Sequence, residues 1–112
     1  MTVSTHVLDA SLGAPAAGVP VVLSRGETGA GPGAGEWRPV ESAVTDADGR
    51  CRFAAVTTAG MYRLTFATGS YFAARSVPAF YPEVTITFTA GDGHFHVPLL
   101  LSPFAYSTYR GS

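Results

Sequence analysis

Hydrophobic and polar positions alternate along this chain in short runs, and no stretch sustains the three-to-four spacing of a long helix. Residues 2–9 form the first such run, closed by the turn residues Gly13-Ala14-Pro15; Val19, Val21 and Leu23 then share one face of a second. A third covers 37–44. Asp46-Ala47-Asp48-Gly49 supplies an Asp-Gly pair suited to a hairpin turn, and 50–54 returns with Cys51 and Phe53 on one face and Arg50 and Arg52 on the other. The run 61–67 turns Tyr62, Leu64 and Phe66 inward. Val84, Ile86 and Phe88 in 83–89 oppose Thr85, Thr87 and Thr89. After Asp92-Gly93, the run 94–102 separates Phe95, Val97, Leu99 and Leu101 from His94, His96, Pro98 and Leu100, and a last strand covers 104–109. Only 70–75 reads as a helix, capped by Ser70 and stopped before Pro78. The expectation is an all-β fold of about eight strands and one short helix, packed as two sheets with apolar inner faces.

Composition narrows this to one domain over residues 1–112, a length that supports a single core. Charged residues are only 13% of the chain, about half the usual ~25%, so a large buried contact surface and an oligomer are expected. The formal charge of −1 offers no basic stripe for nucleic acid. All seven basic residues are arginine, which excludes Schiff-base and lysine general-base chemistry. The single Cys51 cannot close an internal disulfide. No secretory leader or membrane-spanning run is visible, so a cytoplasmic protein without membrane attachment is expected.

Candidate chemistry is sparse. The three histidines lie on strands, and an isolated strand histidine is ordinarily just a surface or half-buried residue. His94 and His96 are the exception, since they share the face opposite the core. A His-x-His pair with a third imidazole also suits zinc, but no carboxylate is placed to orient the ligands, and a histidine working with Arg50 accounts for the same residues without metal. Arg50 alone would be a solvated strand charge. Cys51 shares the phase of Phe53, which favours a buried thiol over a nucleophile. There is no Gly-x-Ser-x-Gly elbow, and the Gly-rich connection 26–35 has neither the lysine nor the following helix of a phosphate loop, so it reads as a flexible surface loop. The segment 106–112 carries two tyrosines and an arginine after an apolar strand, which suggests a docked tail.

Several segments, in order along nearly the whole chain, resemble the transthyretin-related 5-hydroxyisourate hydrolases. They are Ser4-Thr5-His6-Val7-Leu8-Asp9; Thr45 with Asp48-Gly49-Arg50-Cys51; Tyr71-Phe72-Ala73-Ala74; Phe80-Tyr81-Pro82-Glu83-Val84; and His94-Phe95-His96-Val97-Pro98-Leu99-Leu100-Leu101-Ser102-Pro103 leading to Tyr109-Arg110-Gly111-Ser112. The Tyr-Arg-Gly-Ser ending separates the hydrolases from the hormone-carrying transthyretins, which resemble them in fold. The 26–35 loop is longer than the family pattern and lies outside these motifs.

The resemblance implies a transthyretin-like β-sandwich of two four-stranded sheets with one short helix, assembled as a homotetramer (a dimer of dimers) with its sites between subunits. It implies hydrolysis of 5-hydroxyisourate to a ureidoimidazoline carboxylate, without cofactor or metal. The family's functional positions fall on His6, Arg50 and His96 as catalytic residues, and on His6, Arg50, Tyr109, Arg110, Gly111 and Ser112 as substrate-binding ones; His94 is less firmly fixed by the motif. On this reading one of His6 and His96 activates water while the other assists the leaving group, Arg50 holds the polar ring, and Arg110 with Ser112 closes the pocket. The rival expectations are a transthyretin-like carrier of a small aromatic ligand, and a structural β-sandwich module.

Overall fold

The computed structural model describes residues 1–27, 36–56 and 58–112. Its elements run β1 (Thr2–Asp9), β2 (Ala14–Pro15), β3 (Pro20–Gly26), β4 (Trp37–Val44), β5 (Arg50–Phe53), β6 (Gly60–Phe66), α1 (Thr68–Ala73), β7 (Val84–Ala90), β8 (His94–Leu101) and β9 (Tyr106–Thr108). One sheet has the order β4-β3-β6-β7, antiparallel throughout. In the other, β8 lies parallel to β1 and antiparallel to β9, while β2 and β5 follow one another along the far edge of β1. That sheet is therefore four strands wide, although five segments build it. The Gly-rich connection expected at 26–35 lies outside the described residues from 28 to 35; Gly26 ends β3.

The alternation does what it predicts along β1, β5 and β6, whereas β8 buries Val97, Pro98 and Leu99 in succession, with Pro98 on the face expected to turn outward. Val3 and Val7 of β1, Phe53 of β5 and Leu99 of β8 meet Val21, Leu23, Tyr62, Leu64 and Phe66 of the facing sheet, all with no exposed surface. A polar residue within this layer needs a partner, because an unpaired buried hydroxyl costs about 1–3 kcal/mol. Thr5 meets that need by donating its hydroxyl to the Val97 carbonyl at 2.6 Å. Ile86 and Phe88 share the inward phase of Val84 but stay half-buried, because β7 is an edge strand. Among the described residues no helix is long and apolar enough to cross a membrane.

The helix begins two residues earlier than its propensities suggest. Ala67 occupies the N-cap position without a side-chain cap, and Ser70 lies inside the helix. Tertiary contacts override the capping signal: Tyr71 and Phe72 must reach the core, and the Tyr71 hydroxyl donates to the buried Asp9 carboxylate at 2.8 Å. Burial acts to raise the Asp9 pKa, but donors from Ser11, Tyr71 and the Leu12 amide outweigh it and hold the carboxyl below its ordinary range. The same burial, with Asp9 alongside, pushes the Tyr71 phenol up to about 12.

The turn before β5 sets the direction of Arg50. Asp46 accepts the backbone N–H groups of Asp48 and Arg50, each at 2.9 Å, and Gly49 takes φ +77°. The Gly49 carbonyl accepts the Val7 amide at 2.7 Å, so a Cβ at Gly49 would run into the Val7 carbonyl oxygen. Gly49→Ala is therefore expected to lower stability by about 3 kcal/mol, through left-handed backbone strain and this collision; urea unfolding reads it.

Candidate active site

The parallel pairing of β1 and β8 assembles the polar face. Because side chains alternate, Thr2, Ser4 and His6 stand on the side of β1 turned away from the core, and the register places Thr2 beside His94 and Ser4 beside His96. On the other edge of β1, Arg52 pairs with Ser4 and Arg50 with His6. Three imidazoles and two guanidiniums thus share one outward face, brought together from the two ends and the middle of the chain.

A cleft of about 400 Å³ opens on this face, bordered by Ser4, Asp46, Arg50, His94, His96 and Ser112. His6 lies next to its rim, half-buried between Arg50 and Pro98 in the strand register. The Asp46 carboxyl is held below its ordinary range, first by the Arg50 amide and then by the Asp48 amide and the charges of Arg50 and His6. Among the described residues Arg50 forms no ion pair, which leaves its guanidinium for an anionic or carbonyl oxygen.

His96 is the most constrained of the three. Its Nδ1 lies 2.7 Å from Ser4 Oγ, so Nε2 is the nitrogen left for water or substrate. Burial comes first in lowering its pKa, followed by the guanidinium charge of Arg50 and the neighbouring imidazoles of His6 and His94. The imidazole is accordingly neutral at pH 7. Since the folded state resists protonating it, stability contributed here is complete above the ordinary value of 6.5 and declines as pH falls below it. Histidine NMR should place the His96 midpoint below 6.5, and Arg50→Gln should raise it by removing a neighbouring positive charge.

The tail segment divides between two clefts. Gly111 docks on β8: its N–H donates to the His96 carbonyl at 2.8 Å, and a Cβ at that position would strike the His96 ring. Ser112 borders the polar cleft. Tyr109 and Arg110 instead border a neighbouring apolar cleft of about 280 Å³ with Ile86, Phe88 and Phe95, and the Arg110 guanidinium sits 4.7 Å above the Phe95 ring. So the single chain brings His96, Arg50, Gly111 and Ser112 together, with His6 adjoining, and places Tyr109 and Arg110 in the second cleft, which His96 also borders.

Cys51 is buried, and burial, followed by the charge of Asp46, pushes its thiol up to about 11, which suppresses the thiolate a nucleophile needs. Among the described residues no group of three or more His, Cys, Asp or Glu side chains could hold a metal ion; His94 and His96 converge on the Ser4 hydroxyl instead.

Residues 3–111 match the family model described as the HIUase/Transthyretin family. This chain belongs to that family. Within it, the chain is 45% identical to the 5-hydroxyisourate hydrolase of Deinococcus radiodurans, over 97% of this chain and 94% of the relative. It is 44% identical to the Arabidopsis thaliana uric acid degradation bifunctional protein TTL, of whose length it spans 37%. The solved structure of Klebsiella pneumoniae 5-hydroxyisourate hydrolase superimposes with TM-score 0.85 at 43% identity, covering 100% of both chains. The family's sandwich is the fold described above, and the polar face of β1 and β8 carries all three histidines of the chain.

Ser4 is the site residue that reasoning from side-chain chemistry passes over, because a strand serine carries no signal of its own. Its phase with His6 on β1 was visible; its place between two histidines required the β1–β8 register.

Proposed function

We propose that this chain is a cyclic amide hydrolase that opens the six-membered ring of 5-hydroxyisourate to 2-oxo-4-hydroxy-4-carboxy-5-ureidoimidazoline in urate catabolism. The observation that carries the reading is His96, held through Nδ1 with Nε2 open, in one cleft with Arg50 and Ser112. A neutral imidazole at Nε2 takes a proton from the attacking water, a role that contributes about 10²–10⁴ in rate. Arg50 stabilises charge growing on the attacked carbonyl oxygen. As the C–N bond breaks, His6, beside Arg50, supplies the proton for the leaving nitrogen. Ser112 bounds the substrate's position. Tyr109, Arg110 and Gly111 complete the binding residues, with Tyr109 and Arg110 acting from the adjoining apolar cleft. No cofactor enters these steps.

The assembly we infer is a homotetramer, a dimer of dimers. Supporting it are β7 and β9, each with one edge unpaired among the described residues, and the exposed rings of Phe80, Phe104 and Tyr109. Sedimentation at micromolar concentration reads the mass. The buried, unpaired Cys51 suits a reducing compartment such as the cytoplasm, which fractionation tests.

Urate oxidase supplies the test. 5-Hydroxyisourate generated in situ from urate should lose its ultraviolet absorbance much faster with this protein than without it. A decay equal to the spontaneous one would remove the hydrolase reading and favour a carrier without catalysis.

A further inference from the structure

Amide hydrolysis creates a proton that has to leave. Water brings two protons; the departing nitrogen, which becomes part of a urea, keeps one, and the new carboxylic acid ionises. One proton per turnover must therefore reach solvent from a half-buried base beside Arg50. The outward face of β1 and β8 contains a path for it. Ser4 Oγ lies 2.7 Å from His96 Nδ1 and 2.9 Å from His94 Nε2, and the far nitrogen of His94, Nδ1, lies 2.5 Å from Thr2 Oγ1. His96 is half-buried and His94, which borders the same cleft, is exposed, so the chain of contacts runs from the base toward solvent.

We propose that Ser4 and His94 form a relay that carries the proton accepted by His96 to solvent, and in doing so position the His96 ring. This rests on the hydrolase reading above. In the direction that serves the base, His96 Nδ1–H donates to Ser4 Oγ, the Ser4 hydroxyl donates to His94 Nε2, and His94 carries its proton on Nδ1. When Nε2 of His96 takes a proton from water, the Nδ1 proton passes to Ser4 Oγ, the Ser4 hydroxyl proton passes to His94 Nε2, and the His94 Nδ1 proton passes to Thr2 Oγ1 as the Thr2 hydroxyl proton leaves to water. Each heavy atom ends with its original charge, one proton has crossed, and both imidazoles have exchanged tautomers; exchange with water in the emptied cleft restores them before the next turnover. Run the other way, the Ser4 hydroxyl donates to His96 Nδ1 and Nε2 holds the proton. The direction of this chain thus decides whether His96 faces the cleft as base or as donor. The pairing explains why a second histidine stands two residues before the first on the same face.

His94→Ala tests the relay, because an exposed side chain can be removed without opening the core. In weak buffer kcat should fall about tenfold with KM unchanged, less than the ~10²–10⁴ carried by the base itself, and millimolar imidazole should restore most of it. Ser4→Ala should lower kcat similarly without imidazole rescue, whereas Ser4→Thr, which keeps the hydroxyl, should retain activity. The solvent deuterium effect on kcat should require more than one proton in flight in the wild type and only one in Ser4→Ala. If the wild type hydrolyses 5-hydroxyisourate while His94→Ala matches it in weak buffer, or is slow but insensitive to imidazole, the relay is wrong and the hydrolase reading stands. If the wild type itself is inactive, both fall.

Discussion

His96→Ala should leave a folded protein whose turnover of 5-hydroxyisourate is lower by about 10²–10⁴-fold, the contribution of a positioned general base. The fold should survive because His96 lies on the outward face of β8, while the inward neighbours Val97 and Leu99 carry the packing. The loss should appear in kcat, since the imidazole acts on the attacking water and Arg50 remains to hold substrate. Stopped-flow ultraviolet decay with a matched circular dichroism spectrum measures both halves. A variant within twofold of the wild type would transfer the base role to His6.

Gly111→Ala should come close to the same loss through a single methyl group. The Gly111 N–H is bonded to the His96 carbonyl, so the tail backbone lies against β8, and an added Cβ would overlap Cδ2 of the His96 ring with Cγ at 3.1 Å and Cβ at 3.2 Å. Either the ring turns away from Ser4, or the tail lifts and takes Ser112 from the cleft. Both outcomes spoil the site, and a drop of roughly 10²-fold is expected with melting nearly unchanged. Arg110→Ala, one residue earlier, is the informative contrast. Its guanidinium covers Phe95 outside the polar cleft, so its effect should fall on KM more than on kcat.

Local pattern carried most of the fold. The facing of Cys51 and Phe53 against Arg50 and Arg52, and of Tyr62, Leu64 and Phe66 toward the core, follows from a period of two, and the structure preserves it. Where the local signal pointed elsewhere, tertiary contacts prevailed: Ser70 is a good cap on propensity alone, yet Asp9 and the core draw Tyr71 inward and start the helix at Thr68. The same limit applies to the site. His6, Arg50 and His96 could be picked out by residue type and resemblance; Ser4 stood in a matching segment but nothing there gave it a role. Its meaning depends on a parallel pairing between strands 92 residues apart, Ser4 to His96, and local periodicity has no reach over that separation. Nor does periodicity distinguish the polar cleft of Ser112 from the apolar one of Arg110.

That pairing has a consequence for how the protein is made. β1 leaves the ribosome well before β8 and must wait for it; at about 5–20 residues per second the interval is on the order of 5–20 s. Through that time the strand carrying Ser4 and His6 has the edge that will meet β8 open. The polar face therefore assembles only after β8 has emerged, and the histidines that share Ser4 meet late, once the strands between them are already available to fold.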